Sequence, residues 1–191
     1  MKYTLEAPFD EEKIKMLKAG DTVTINGTIY TARDAAHKKM ISLINEGKPL
    51  PFDIKNQIIY YVGPCPARPG EVIGSAGPTT SSRMDAYAPK LIELGLKGMI
   101  GKGLRSKEVV DAMKKYNAVY FGAIGGAGAL IARSIVAQEV IAFPELGTEA
   151  IRKLTVKDFP AVVIIDSNGD DLYHVGKDKY RNADRVNCTY V

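Results

Sequence analysis

Between Gln57 and Val136 the sequence passes three times from a short apolar run through a glycine-rich turn into a helical or small-residue segment. The runs are QIIYYV at 57–62, GMI at 98–100 and AVYF at 118–121. The turns that follow contain GPCPARPG and GSAGPTTSSRMD, then GKG, then GAIGGAG. Strand, glycine loop and helix in repeated order is α/β behaviour, and it excludes an all-helical bundle or an all-β sandwich. After the first unit, Met84, Tyr87, Leu91 and Leu94 recur at helical spacing up to Gly95. Pro89 is tolerated only near a helix start, so this helix is expected to begin near Asp85, with a turn as early as Thr80. Ser106 is placed to cap a second helix over 107–116.

The flanks read differently. Thr22–Ile25 and Thr28–Tyr30 surround Asn26-Gly27, a strong short hairpin signal. Ala36, Met40, Leu43 and Ile44 form a helical stripe, with Asp34 as N-cap and Gly47 as stop. From Glu139 the pattern returns to strands in EVIAFPELG, KLTVKDF and AVVIIDSNGDDLYHV, with a second hairpin signal at Asn168-Gly169. The tail from about Lys177 is polar and expected to be loosely held. One domain over 1–191 is the default for this length.

Composition is ordinary for a globular chain, at 46% hydrophobic and 25% charged. No window approaches the roughly 18 apolar residues that span a bilayer, and MKYTLEAPFDEEK has acidic residues where a signal peptide would be apolar, so a cytoplasmic protein is expected. The net charge of +4 arises from 26 basic and 22 acidic residues that interleave, which argues against nucleic acid as partner. Cys65 and Cys188 form no CxxC pair, so neither a zinc site nor a disulfide framework is expected, and two thiolates do not hold an iron–sulfur cluster in the usual way.

Four places carry candidate chemistry. Arg33 lies between a strand and the helix at Asp34, where a guanidinium fork binds carboxylates, although a solvated ion pair is the commoner use of such an arginine. His37, one turn on, is better read as a packed or surface histidine than as an acid or base. Thr79-Thr80-Ser81-Ser82-Arg83 puts four hydroxyls and a guanidinium where a loop enters a helix, which suits an anion and exceeds what a plain cap needs. Lys102, between Gly101 and Gly103 at a strand end, faces the usual ligand crevice of an open α/β sheet, or is an exposed turn lysine. The GAIGGAG loop is not a GxGxxG fingerprint and reads as a tight turn. Cys65 reads as an inert, partly buried thiol.

Taken together, TARDAAH at 31–37, GPCPARPGEVIGSAGPTTSSRMDAY at 63–87, IGKG at 100–103, YFGAIGGAGAL at 120–130 and FPELGTEAIRKLTVKDFPAVVIIDSNGDDLY at 143–173 resemble class I fumarases. The resemblance is to the C-terminal domain of the single-chain enzymes, equivalent to the β subunit of two-chain fumarate hydratases and L-tartrate dehydratases. It implies a swivelling β/β/α domain with mixed sheets and flanking helices. It also implies a larger α subunit that carries a 4Fe–4S cluster, so that this chain supplies no metal ligand. Carried over residue by residue, the dicarboxylate-binding groups are Arg33, Thr79, Thr80, Arg83 and Lys102. Of these, Thr79 (as base), Arg83 and Lys102 are the catalytic set. The chain departs from the family in lacking the Gly before Arg33 and in a shorter stretch before GKG, and neither change removes a named side chain. Reversible hydration of fumarate to malate is the implied reaction. L-tartrate dehydration and a non-catalytic anion-binding regulatory module are the alternatives.

Overall fold

The computed structural model describes residues 1–180. In chain order the elements are β1 (Lys2–Ala7), α1 (Glu11–Met16), β2 (Thr22–Thr31), α2 (Asp34–Asn45), β3 (Ile58–Tyr60), α3 (Ala88–Glu93), β4 (Gly98–Gly101), α4 (Lys107–Tyr116), β5 (Val119–Gly122), α5 (Gly128–Ala132), β6 (Ile135–Ala142), β7 (Ile151–Ile165) and α6 (Leu172–Tyr180). Two 3₁₀ segments, Ser81–Met84 and Pro144–Glu149, join them. The strands form one seven-stranded sheet in the order β1-β2-β3-β4-β5-β7-β6. A further β2–β7 pairing closes β2, β3, β4, β5 and β7 into a circuit. β1 to β5 run parallel, and β7 is antiparallel to β2, β5 and β6.

Alternation along the central strands builds two cores. Ile58, Tyr60, Ile100, Phe121 and Val163 point into the space enclosed by the strands, with Ile25 and Phe159 opposite. Ile59, Tyr61, Met99 and Tyr120 face the other way and pack under helices through Met40, Leu91, Ile92, Val109 and Met113. Successive strand residues point to opposite faces, so a strand covered on both faces must be apolar throughout, which is why QIIYYV does not alternate. The result is the mixed, three-layer β/β/α arrangement of the expected α/β class. Among the described residues no helix is long and apolar enough to cross a membrane.

Neither hairpin signal produces a hairpin. Asn26-Gly27 lies inside β2, where a register shift against β7 falls between Ile25 and Gly27. The Asn26 side chain accepts the Asp158 N–H at 2.7 Å. Gly27 has φ +97°, and a Cβ there would meet the Ala7 carbonyl oxygen at 2.4 Å. This is a bulge, which needs the same positive φ as a tight turn. Folding β2 back on itself would forfeit its pairing with both β1 and β7. Asn168-Gly169 does turn the chain, with the Asp166 carboxylate accepting from the Asn168 and Asp170 amides. Only one bridge, Ile165–Asp171, follows before α6 begins.

Three smaller corrections concern helices. Arg33 holds the N-cap position of α2 without a side-chain cap bond, and Asp34 is the first helical residue. The segment after the GAIGGAG loop, read as helical or small-residue up to Val136, is helical over Gly128–Ala132 and enters β6 at Ile135. The polar tail from about Lys177 is helical as far as Tyr180, while the rest of it, with Cys188, lies outside the described residues. The Ser106 cap of α4 forms as expected, its hydroxyl accepting the Val109 N–H.

Candidate active site

The parallel strands β2 to β5 all end on one edge of the sheet, and the chain leaving each end carries the candidate residues. Arg33 follows β2, the Gly63–Asp85 segment follows β3, and Lys102 follows β4. This edge is where ligands sit in parallel α/β sheets, because the diverging loops leave a crevice there.

Thr79, Thr80 and Lys102 are fixed by backbone. The Thr79 N–H donates to the Tyr61 carbonyl at 2.7 Å, the Lys102 N–H to the Thr79 carbonyl at 3.3 Å, and the Ser81 N–H to the Lys102 carbonyl at 2.8 Å. Thr80 and Lys102 thereby form a parallel bridge, a short extension of the sheet beyond its last full ladder. Gly101 permits this approach, since a Cβ there would lie 2.0 Å from the Ser81 hydroxyl. Among the described residues the Thr79 and Thr80 hydroxyls and the Lys102 ammonium have no side-chain partner. The helix after this loop starts later than the periodicity suggests: a 3₁₀ turn covers Ser81–Met84, and α3 begins at Ala88 with Pro89 as its second residue. Any anion here meets hydroxyls, cations and a 3₁₀ turn, not the end of a long helix dipole.

Arg33 and Arg83 are held by carboxylates. Arg83 forks onto Asp34, its Nε donating to Oδ1 at 3.0 Å and its Nη2 lying 2.6 Å from Oδ2. Arg33 lies 3.5 Å from the Glu149 carboxylate, and the other oxygen of that carboxylate accepts the Ala35 N–H at 3.0 Å. Glu149 therefore occupies the N-terminus of α2, in the place a bound carboxylate would otherwise take. The Arg33 guanidinium runs across Gly63, where a Cβ would meet Nη1 at 2.4 Å. Two of the three candidate cations are thus neutralised from within the chain, which sequence spacing did not suggest.

Beneath these residues lies a buried polar layer. His37 is fully buried and its Nδ1 lies 2.8 Å from the Arg33 carbonyl. A carbonyl only accepts, so Nδ1 carries the proton. Among the described residues Nε2 has no partner, and burial pushes the imidazole down to about 4. This bears out the packed reading of His37. Beside it the buried Arg105 pairs at 2.7 Å with Asp85, whose side chain is 12% exposed. Neither residue was singled out from sequence, although RMD and GKGLRS place them directly after the candidates. Cys65 is exposed, not partly buried as expected. Among the described residues no three His, Cys, Asp or Glu side chains come together as metal ligands would, so this part of the chain offers no fit for an iron–sulfur cluster. A concavity of about 640 Å³ lies between residues 65–75 and α5 and contains none of the five candidates. The candidate site is an open edge, flanked by the exposed apolar side chains of Leu104 (48%) and Ile124 (70%).

Comparison with known proteins bears on this edge. Residues 1–176 match the family described as Fumarase C-terminus. The chain is 40% identical over 193 residues to the anaerobic class I fumarate hydratase of Escherichia coli K12, covering 99% of this chain and 34% of that one. It is 41% identical over 177 residues to fumarate hydratase 2 of Leishmania major, covering 91% of this chain and 31% of that one. To the putative L(+)-tartrate dehydratase subunit beta of Methanocaldococcus jannaschii it is 38% identical over 193 residues, covering 97% and 98%. The chain spans about a third of the length of the two fumarate hydratases.

Proposed function

Because the chain belongs to the fumarase C-terminus family, we propose that it is the β subunit of a hydro-lyase that interconverts fumarate and (S)-malate, active beside a larger α subunit bearing the 4Fe–4S cluster. The observation that carries this reading is the Thr79–Thr80–Lys102 unit, tied by backbone hydrogen bonds at the C-terminal edge of the parallel strands, with hydroxyls and ammonium unpaired among the described residues. The openness of that edge, with Leu104 and Ile124 exposed beside it, supports closure by another chain. A cytoplasmic location and a single 1–191 domain belong to the same reading.

Lewis-acid chemistry would come from a cluster held by the partner, to which this chain's described residues would add no ligand. Lys102, Arg33 and Arg83 bind the two substrate carboxylates and stabilise the charge that develops on one of them. The Thr79 hydroxyl, with Thr80 beside it, holds the proton that moves to and from C3. An unperturbed hydroxyl is a poor base, so this role requires the surrounding cations to stabilise its anion.

L-tartrate is the second substrate reading, favoured by the match to a β subunit of nearly the same extent. The same clamps would receive a dicarboxylate with one more hydroxyl. A regulatory module that binds malate without turnover is the third reading. The deciding experiment is anaerobic reconstitution with the cluster-bearing chain, assayed on fumarate, malate, tartrate and mesaconate. Oxygen-sensitive hydration by the pair, with a colourless and inactive β chain alone, is expected. Robust turnover by the isolated, iron-free chain would overturn the assignment.

A further inference from the structure

Arg105 sits where a charge is least welcome. Its side chain is fully buried, its Nε donates to Asp85 Oδ1 at 2.7 Å, and Nη1 reaches only the Met99 sulfur at 3.4 Å. The guanidinium carbon lies 5.4 Å from the Tyr61 ring centre and 5.1 Å from that of Tyr120. Nη2 has no partner. Burying an ion pair in this way costs several kcal/mol of desolvation that well-packed apolar residues would avoid, so stability alone does not account for it. Geometry offers a different account. The Asp85 carboxylate accepts from Arg105 with one oxygen and from the Ser106 backbone N–H with the other, at 2.7 Å. Asp85 ends the 3₁₀ turn that carries Arg83, and Arg105 and Ser106 end the loop that carries Lys102. At the other end of the same two segments, Thr80 and Lys102 form their backbone bridge. Between the two ends, the Tyr120 hydroxyl donates to the Gly103 carbonyl and accepts from the Ser81 hydroxyl, both at 2.9 Å. The two segments are stitched at three points, and only the Asp85–Arg105 stitch is made of charges.

We propose that Asp85 and Arg105 are positioning residues that lock the Thr79–Arg83 turn to the Lys102 loop, so that the Thr79 hydroxyl and the Lys102 ammonium meet a dicarboxylate as one rigid set, with the backbone that carries Arg83 fixed beside them. The dicarboxylate in this statement rests on the function proposed above, whereas the lock itself does not.

The lock is tested by backbone hydrogen exchange on the full chain. In Asp85→Asn the Ser81 and Lys102 amides, which close the Thr80–Lys102 bridge, should exchange about tenfold faster or more, while the β7 amide of Val163 stays within about twofold. Arg105→Met should behave as Asp85→Asn, and Arg105→Lys, which restores the charge, should recover much of the protection. Where Asp85→Asn does not fold, the contrast between Arg105→Met and Arg105→Lys carries the same reading. Equal acceleration at Val163 and at Ser81 would reduce the pair to ordinary core stability and overturn the proposal, as would unchanged exchange at all three amides. In the reconstituted pair of subunits, Asp85→Asn should lower kcat at least about tenfold with a smaller change in KM, since misaligned groups lose the transition state before they lose the substrate. A wild-type pair that hydrates none of the four substrates would sink the functional reading, and the exchange experiment would still decide the lock.

Discussion

The two halves of the candidate site are held by different forces. Its floor, formed by Thr79, Thr80 and Lys102, hangs on backbone hydrogen bonds that extend the β3–β4 ladder. Its rim, formed by Arg33 and Arg83, hangs on Glu149 and Asp34, in ion pairs whose side chains are 20% to 49% exposed. Backbone ladders rearrange only with the sheet, whereas partly exposed ion pairs contribute about 1 kcal/mol or less and exchange partners readily. A group that must aim a proton needs the first kind of support. A clamp that must release one carboxylate to take another can use the second.

The sharpest way to break this contrast is at Thr79. Thr79→Val keeps the shape and the backbone bonds while removing the hydroxyl. If the floor aims a proton, exchange of the malate C3 proton with solvent should fall by about two decades or more, with substrate affinity nearly unchanged. Undiminished exchange would assign the proton to another group.

Acid should separate rim from floor by a route that does not depend on substrate. His37 lies under α2, bonded to the Arg33 carbonyl, and burial holds its imidazole at about 4. The unfolded chain binds that proton near 6.5, so between about 6.5 and 4 the unfolded state holds more protons than the folded one. Stability is complete above about 6.5 and declines as the pH falls toward 4, by about 3 kcal/mol from this residue. His37→Gln should flatten that part of a denaturation series against pH. An unchanged slope would mean that the imidazole reaches solvent.

How much of this was legible in the sequence divides along similar lines. The parallel strands and their loops were readable because each signal is local: QIIYYV is a short apolar run, and Ser106 caps a helix one residue away. Lys102 directly follows β4, as its place after a short apolar run suggested, and Arg33 closely follows β2, whereas Thr79, Thr80 and Arg83 lie far along the segment that leaves β3. Pairing between distant segments was not readable. Asn26-Gly27 has the same preference for positive φ in a bulge as in a hairpin, and only the long-range β1 and β7 partners decide between them. Glu149 reaches Arg33 from more than a hundred residues away. Arg105 looks like any surface arginine until Tyr61 and Tyr120 close over it.

Charge removal compares floor and rim directly. Lys102→Met takes from the floor a cation that has no partner among the described residues and should cost about 1.5 to 3 kcal/mol in kcat/KM, one to two decades, with folding intact. Arg83→Met removes a cation from the rim and leaves Asp34 unpaired, so its loss should be as large and include a rise in KM. Near-normal kinetics for both would remove them from the site.

The smallest expected effect is the most discriminating for the rim. Glu149→Gln keeps the size of the side chain and leaves an oxygen to accept the Ala35 N–H, so α2 remains capped. What disappears is the negative charge 3.5 Å from Arg33, which on the proposed function would compete with a substrate carboxylate for that guanidinium. Stability should therefore change by less than about 1 kcal/mol, as for other partly exposed pairs. Dicarboxylate affinity in the assembled enzyme should rise by about two- to fivefold, and the gain should shrink as salt is added, because a single unit charge at such a site is screened. The opposite result, weaker binding with the cap intact, would mean that Glu149 aims Arg33 and does not compete for it. The rim would then be built on the same terms as the floor, and the distinction between a fixed floor and an exchangeable rim would fail at Arg33.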